Sequence, residues 1–279
     1  MAINLSAEHV GILLPEDVGR LVVQPVDRLS VAAQVSTLVE TASPEFRVPI
    51  VDNDITATWV AEAAEIGQDS VGTDQLVIVP RKLAALSVIS NELAADSSPA
   101  AQNVVGMSIA RDIARAMDAA FFGSAVGQAP DGLGDLIGFN PVSAGAAWVN
   151  LDPFAEAISA ADAEGRELTA FCANHADALT LAQLKDDSDT SLRPLLGDPL
   201  EGTQRRVLGV PIFVSPAVPA GTVFGLPRDV SMVVRRTGVQ LVVDRSRYLE
   251  FDSVGIRATM RVGFGWPHPG AIQKISLTA

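Results

Sequence analysis

The sequence predicts an α+β fold, and three observations support that prediction. A helical pattern of apolar residues runs from residue 99 to about residue 122, and the last third of the chain is rich in alternating β-branched runs. Helices and strands are mixed along the chain without a regular βαβ order. Such a mixture is typical of α+β proteins rather than of a doubly wound parallel sheet.

The composition is that of a folded protein. Of the 279 residues, 48% are hydrophobic and 19% are charged, which is enough to bury the core of one large domain or two modest ones. The first residues lack a basic n-region, and no apolar run approaches the length that spans a membrane. We therefore expect a soluble protein that is made in the cytoplasm.

Residues 1–45 are predicted to form an N-terminal arm. Pro15 is followed by two acids, which favours the start of a short helix. Residues 30–39 combine alanines with β-branched side chains, and this run fits a strand or a short helix equally well.

The chain is organised around a long hairpin that begins at residue 46. Residues 55–62 alternate with period two, and residues 75–80 form a β-rich run that a proline closes. The twelve residues between these strands contain two glycines, three acids and no base. Because two lone strands are marginally stable in water, this hairpin needs a surface to lie on. If its own domain does not supply that surface, another copy of the protein must, which indicates an assembly subunit rather than an enzyme.

The longest helix is predicted from Pro99 to about Phe122. Apolar residues recur every four positions along it, and these are Val105, Ile109, Ile113, Met117 and Phe121. Arg111, Arg115 and Asp118 are assigned to its polar face. Residues 82–89 are expected to lead into a short capped helix at residues 90–93.

Two further helices and several strands complete the prediction. Helices are expected over residues 152–165 and 174–186, and strands over 168–173, 206–215, 230–235, 238–244 and 256–264. The last strand alternates so that Arg257 and Arg261 share one face.

Charge is divided unevenly along the chain, whose formal net charge is −13. Residues 1–98 contain fourteen acids and five bases, whereas residues 197–279 contain ten bases and six acids. This polarity suits contact between the acidic front of one copy and the basic rear of another, although both sets also fit a purely solvent-facing role.

No residue pattern predicts catalytic or metal-binding chemistry. His9, His175 and His268 are far apart, and the single cysteine, Cys172, lies in an apolar run that favours a buried core residue. Nucleophile elbows, dinucleotide loops and phosphate loops are missing from the sequence. We therefore expect no catalytic residue, no metal and no cofactor.

The order of these segments resembles the major capsid proteins of tailed double-stranded DNA bacteriophages, which have the Hong Kong ninety-seven type of fold. The resemblance covers nearly the whole chain and rests on short motifs in a characteristic order. These are residues 58–62 and 80–84 on either side of the hairpin loop, 90–93, 118–123, 130–133, 181–186, 208–212 and 257–264.

This resemblance implies a domain organisation. It places an N-terminal arm at 1–45, an extended loop at 46–82, and a peripheral domain at 83–141 whose spine helix spans about 99–122. It further implies an axial domain at 142–232, return strands of the peripheral domain at 233–264, and a C-terminal axial segment at 265–279.

The resemblance also implies a function. Subunits of this kind form hexamers and pentamers that tile an icosahedral head around double-stranded DNA, with each loop lying across a neighbour. The implied location is the virion, with assembly in the host cytoplasm, and the implied partners are other copies together with scaffolding, portal and decoration proteins. Some relatives join the loop to a neighbour through a lysine, but residues 48–81 contain no lysine, so we expect a shell that is not crosslinked in this way.

Seven residues are predicted to make contacts between subunits. The loop contributes Trp59, Glu62, Glu65 and Asp69, and the basic rear contributes Arg247, Arg257 and Arg261. Acids on the loop would face arginines of an adjacent copy. The alternative functions are an encapsulin-like compartment shell and a soluble α+β hydrolase.

Overall fold

A computed structural model describes residues 24–51, 59–60, 72–90, 99–185, 195–196, 205–244 and 246–278. Helices and strands are mixed along these residues, and the predicted α+β class is confirmed. The elements, in chain order, are α1 (Gln24–Leu29), α2 (Val31–Val35), β1 (Thr37–Glu40), β2 (Phe46–Val51), β3 (Thr73–Ile78), β4 (Arg81–Ser90), α3 (Pro99–Phe122), β5 (Asn140–Ser143), α4 (Asp152–Ala163), β6 (Ala170–Ala173), α5 (His175–Gln183), β7 (Arg206–Val207), β8 (Val210–Val214), β9 (Thr222–Leu226), β10 (Met232–Asp244), β11 (Ser253–Gly265) and β12 (Gln273–Ser276). Short 3₁₀ helices span Leu249–Phe251 and Pro269–Ala271.

The first sheet has four strands in the order β1-β10-β11-β4. Strands β10 and β11 form a long antiparallel hairpin, β4 pairs antiparallel with β11, and β1 pairs in parallel with β10. Along β11, Ala258, Met260 and Val262 are buried, whereas Arg257 and Arg261 are exposed. The sheet therefore has an inner face that packs into the core and an outer face on which the two arginines lie, as predicted.

The long helix α3 begins and ends where the sequence predicts. Its stripe is buried wherever the side chains are described, at Ile109, Ile113, Met117 and Phe121. Phe121 makes an edge-to-face contact with Phe264 of β11, at 5.2 Å between ring centroids, and so joins the helix to the inner face of the sheet.

The assignment of Asp118 to the polar face of this helix is wrong. Its side chain is only 5% exposed, because the segment around Ser30 packs over it. Its carboxylate accepts hydrogen bonds from Ser30 Oγ at 2.6 Å, Val31 N at 3.1 Å, Ala32 N at 3.0 Å and Ser215 Oγ at 3.4 Å. Burial raises the pKa of Asp118 above its ordinary value, although these hydrogen bonds act in the opposite direction.

Residues 30–39, for which the sequence left two alternatives, contain both. Helix α2 begins after Ser30, whose side chain accepts a hydrogen bond from Ala33 N and caps the helix. The chain then becomes extended in β1, which pairs in parallel with β10. The alanines therefore lie in the helix and the later β-branched residues in the strand.

The second sheet has six strands in the order β5-β12-β9-β6-β8-β7. Helices α4 and α5 contribute buried residues to its core, including Phe154 and Leu181. Cys172 on β6 is fully buried, as predicted, and burial raises the pKa of its thiol. Asn174 caps α5 by accepting a hydrogen bond from Ala176 N, while His175 is exposed.

Several predictions fall wholly or partly outside the described residues. The helix that starts near Pro15 lies outside them. So does most of the strand predicted at 55–62, although Trp59 and Val60 are described and belong to no strand. Ser90 is the last residue of β4, and the rest of the short helix expected at 90–93 also lies outside. Among the helices that are described, none has the length and apolar character needed to cross a bilayer.

Candidate assembly surface

A two-stranded ribbon, β2 with β3, leaves the body of the protein next to the four-stranded sheet. The strands pair antiparallel from Phe46 opposite Ile78 to Val51 opposite Thr73. Within the described residues neither strand pairs with any other. A ribbon of two strands is expected to be only marginally stable by itself. The sequence predicts such a hairpin but places its outgoing strand at 55–62, whereas β2 lies at 46–51.

The base of this ribbon is held by Ile78, which is buried against a glycine notch on β11. A Cβ atom on Gly263 would lie 2.9 Å from Ile78 Cγ2, and one on Gly265 would overlap Ile78 Cδ1. Only glycine leaves room for this side chain at both positions. The notch anchors the ribbon at one end.

Beyond the base, the described residues of the ribbon and loop include exposed apolar side chains. Val77 on β3 is exposed, and Trp59 of the loop is fully exposed. Burial of a tryptophan ring against a partner would contribute a large favourable hydrophobic free energy, which an exposed ring does not have. Its exposure leaves this ring available to a partner, and the role of Trp59 in subunit contacts stays a prediction.

The outer face of the four-stranded sheet mixes cationic and apolar side chains. Arg257 lies between Leu86 on β4 and Val242 on β10, which are 60% and 44% exposed. Arg261 lies beside Lys82 in the next part of the same face. A surface of this kind is suited to a partner that brings both carboxylates and apolar groups.

The third predicted arginine is separate from this pair. Arg247 lies in the turn at the far end of the β10–β11 hairpin, with its guanidinium 6.0 Å from the ring centroid of Tyr248. Six residues of extended strand, or about 20 Å, separate Gly255 near this turn from Arg261. The three arginines therefore do not form one cluster.

Part of the acidic front is neutralised by contacts within the chain, which the order of charges along the sequence does not indicate. Arg235 on β10 forms ion pairs with Asp27 at 3.0 Å and Glu40 at 2.5 Å, and its side chain is only 11% exposed. Burial alone would lower the pKa of Arg235, but the hydrogen bond to Glu40 and the charge of Asp27 raise it overall. The contact between front and rear is thus partly intramolecular.

The remaining predicted contact residues, Glu62, Glu65 and Asp69, lie outside the described residues. Across the part of the chain that is described, no three His, Cys, Asp or Glu side chains gather closely enough to hold a metal ion. His268 Nε2 lies 3.1 Å from Glu164 Oε2 in an exposed pair.

Comparison with known proteins places this architecture. The description "Phage capsid family" matches residues 10–277, which is almost the entire chain. The chain belongs to the phage capsid family. A search of curated proteins finds no match.

Solved capsid structures share the fold of this capsid protein. The capsid of an empty GTA particle is similar with a TM-score of 0.74 and 22% identity, covering 90% of each chain. The capsid of the native GTA particle has a TM-score of 0.71 and 20% identity, covering 100% of this chain and 96% of that one. A structure from Gordonia phage Cozz has a TM-score of 0.69 and 17% identity, covering 90% and 87%.

Family membership sets the broad role of the molecule. A capsid protein is a structural subunit of the shell of a virion, and it forms that shell with other copies of itself. The exposed ribbon, the exposed Trp59 and the cationic outer face are therefore surfaces to be considered for contacts between subunits.

Proposed function

We propose that this capsid protein forms hexamers and pentamers, which close an icosahedral phage head around double-stranded DNA in the host cytoplasm. Each extended loop lies across a neighbouring subunit. The observation that carries the proposal is the ribbon β2–β3, which is anchored at Ile78 and pairs with no other strand among the described residues. A ribbon of this kind gains stable packing when a second copy supplies a surface.

Charge supports a direct contact between loop and neighbour. Glu62, Glu65 and Asp69 lie in a loop segment without a single base, and Arg257 and Arg261 are exposed on the outer face of the sheet. Arg247 offers a second cationic position at the far end of the same sheet. Carboxylates on one copy thus have arginine partners on another, and the planar guanidinium favours paired hydrogen bonds with them.

The shell is held together without a covalent link from the loop, since residues 48–81 contain no lysine. Scaffolding, portal and decoration proteins are further partners that the resemblance implies for the head in the host. DNA is enclosed rather than gripped, because a chain with a net charge of −13 repels phosphate.

Electron microscopy of the purified protein tests the assembly directly. We expect the full chain to form closed shells with five-fold and six-fold capsomers. Replacing residues 61–71 by a glycine-serine linker of equal length removes the loop contact, and we expect single subunits or small oligomers instead. Glu156→Lys, an exposed charge change on α4, serves as the control and leaves assembly intact.

Three outcomes would contradict the proposal. A sharp peak of monomer in size-exclusion chromatography at all protein concentrations would contradict the proposed assembly into shells. Normal shells from the linker variant would show that the loop does not lie across a neighbour. Native particles that hold enzymes and no DNA would favour the encapsulin-like alternative.

A further inference from the structure

A cleft lies where the ribbon meets the four-stranded sheet, and we call it the loop-base cleft. It encloses about 470 Å³ and is lined by Pro44, Val79, Pro80, Arg81, Lys82, Gln128, Arg236 and Arg261. Four of these eight residues are bases and none is an acid. So much positive charge around one cleft creates a strong local preference for an anion.

A β-bulge in β10 lies beside this cleft. The pairing of β10 with β11 shifts register between Arg235 and Thr237 and again before Gln240. Such an irregularity changes the direction in which neighbouring side chains project. Arg235, just before the bulge, meets Asp27 and Glu40, whereas the adjacent Arg236 lines the loop-base cleft with Arg261.

The four bases lack acidic partners within the described part of the chain. The ion pairs found there join Arg47 to Glu45, Arg166 to Asp229, Arg235 to Asp27 and Glu40, and His268 to Glu164. Arg236 is also only half-exposed. Cations that are gathered together repel one another, and a ligand bearing several carboxylates would relieve that repulsion.

A smaller hollow of about 180 Å³ adjoins the cleft. It shares Arg81, Lys82 and Gln128 with the cleft, and its other lining residues are Leu83, Ala116, Met117, Ala120, Ala129, Pro130 and Val262. This lining is apolar. The two spaces together fit a peptide that places acidic side chains beside an apolar one.

We propose that the loop-base cleft binds the acidic loop segment, residues 61–74, of a second copy of the chain. This segment contains Glu62, Glu65, Asp69 and Asp74, and Ile66 follows directly after Glu65. Four acids and no base match the four bases of the cleft, and Ile66 matches the apolar hollow. The inference rests on the proposed function and specifies where the loop of one subunit binds its neighbour.

A second copy fits this role better than the chain's own loop. Strand β3 runs from Thr73, at the outer end of the ribbon, to Ile78 beside the cleft, which is about 17 Å of extended chain. The loop therefore leaves the ribbon at the end far from its own cleft. Duplex DNA is the other large polyanion, but the net charge of −13 opposes its approach.

Peptide binding tests the site without requiring a shell. A fluorescent peptide of residues 59–75 is titrated against the full chain at low protein concentration, and its anisotropy is measured at 50 mM and 300 mM salt. We expect saturable binding that weakens at the higher salt, and a loss of at least about tenfold in affinity for the Arg236→Glu/Arg261→Glu variant. Arg205→Glu, an exposed charge change at the other sheet, leaves the affinity unchanged.

Circular dichroism confirms folding of the cleft variant, and Arg261→Gln replaces it if the double variant fails to fold. Equal affinity of the peptide for the wild type and a folded cleft variant would overturn the inference. It would also fall if a 20-base-pair duplex DNA bound through these arginines and the peptide did not bind.

Exchange of charges gives a second test. Arg261→Glu and Glu65→Lys are each expected to lower the yield of shells, and the two changes in one chain are expected to restore it. Glu65→Lys combined with Arg205→Glu should give no such recovery. If the wild type forms shells but the peptide does not bind at the cleft, only this inference fails. If the wild type forms no shells, the proposed function fails, and peptide binding is then judged by itself.

Discussion

Asp118 joins three parts of the chain through one buried carboxylate. It lies on α3, accepts hydrogen bonds from the backbone at the start of α2, and receives a longer one from Ser215 after β8. The charge it brings to the start of α2 complements the positive end of that helix. Burial raises its pKa, so the folded protein binds a proton at this carboxylate more readily than the unfolded chain does.

We predict that Asp118→Asn lowers the free energy of unfolding by roughly 1–3 kcal/mol at pH 7, because the amide leaves buried donors without an acceptor. The wild type gains stability from proton uptake at Asp118, fully below the ordinary pKa of 3.8, and loses it as the pH rises through the raised folded value. The difference between wild type and variant should therefore widen from pH 7 to pH 5. Urea unfolding at both values measures this difference.

Asp112→Asn is the matched control, since Asp112 is exposed on the same helix. We expect it to change the free energy of unfolding by less than about 0.5 kcal/mol at either pH. A difference between wild type and Asp118→Asn that stays flat or narrows towards pH 5 would show that burial does not govern this carboxylate.

Single residues such as Asp118 and Arg236 were the least predictable from sequence. Helical spacing alone allows Asp118 on the edge of the polar face, and its partner Ser30 is 88 residues away in the chain. The place of Arg236 in the loop-base cleft depends on the pairing of β10 with β11 and on the nearby base of the ribbon, which no local pattern indicates. In both cases tertiary packing decides the environment of the side chain.

At the scale of elements, the ribbon β2–β3 depends on how its base is held. Ile78 fills the notch at Gly263 and Gly265, and the side chain of Leu76 also approaches Gly265. The placement of the ribbon base therefore depends on two glycines in β11, whose lack of a Cβ atom leaves room for Ile78.

Gly265→Ala is predicted to destabilise the protein by about 1–3 kcal/mol, because the added methyl group overlaps Ile78 and forces the ribbon base to move. Shortening the opposing side chain in Gly265→Ala/Ile78→Ala should leave a loss smaller than the sum of the two single losses. Urea unfolding of the wild type and of all three variants gives the coupling free energy between Gly265 and Ile78.

Gly238→Ala on β10 provides the control, since an added methyl group there meets open space. We expect no comparable destabilisation from it. Additive losses for Gly265→Ala and Ile78→Ala would show that the notch does not hold the ribbon.

Elements with strong periodicity were predicted well. Helix α3 spans the predicted residues, and the faces of β11 follow the alternation around Arg257 and Arg261. The hairpin was predicted less well because β2, at 46–51, contains Pro49 and lacks a clear alternation. Its pairing with β3 depends on tertiary placement as much as on local sequence.

For the whole molecule, the lack of lysine between residues 48 and 81 predicts a shell held by non-covalent contacts. Mature shells boiled in SDS should release the protein as a single band at the mass of one chain. A ladder of multiples on the gel would contradict this prediction. The empty-vector host, processed in the same way, controls for unrelated bands.

The global architecture was predictable through the order of its segments rather than through any one of them. Family membership and the α+β class are both confirmed. The strand order was not predicted, because the parallel pairing of β1 with β10 joins segments with no local relation. The domain boundaries and all seven predicted subunit contacts stay predictions, namely those of Trp59, Glu62, Glu65, Asp69, Arg247, Arg257 and Arg261.

That same parallel pairing has a consequence for synthesis on the ribosome. Glu40 and Arg235, which face each other in the pairing, are 195 residues apart. Because synthesis proceeds at about 5–20 residues per second, on the order of 10–40 s pass between the synthesis of β1 and that of its partner strand β10. The two central strands, β10 and β11, are the last of the four strands to be synthesised, so an unfinished nascent chain lacks half of this sheet.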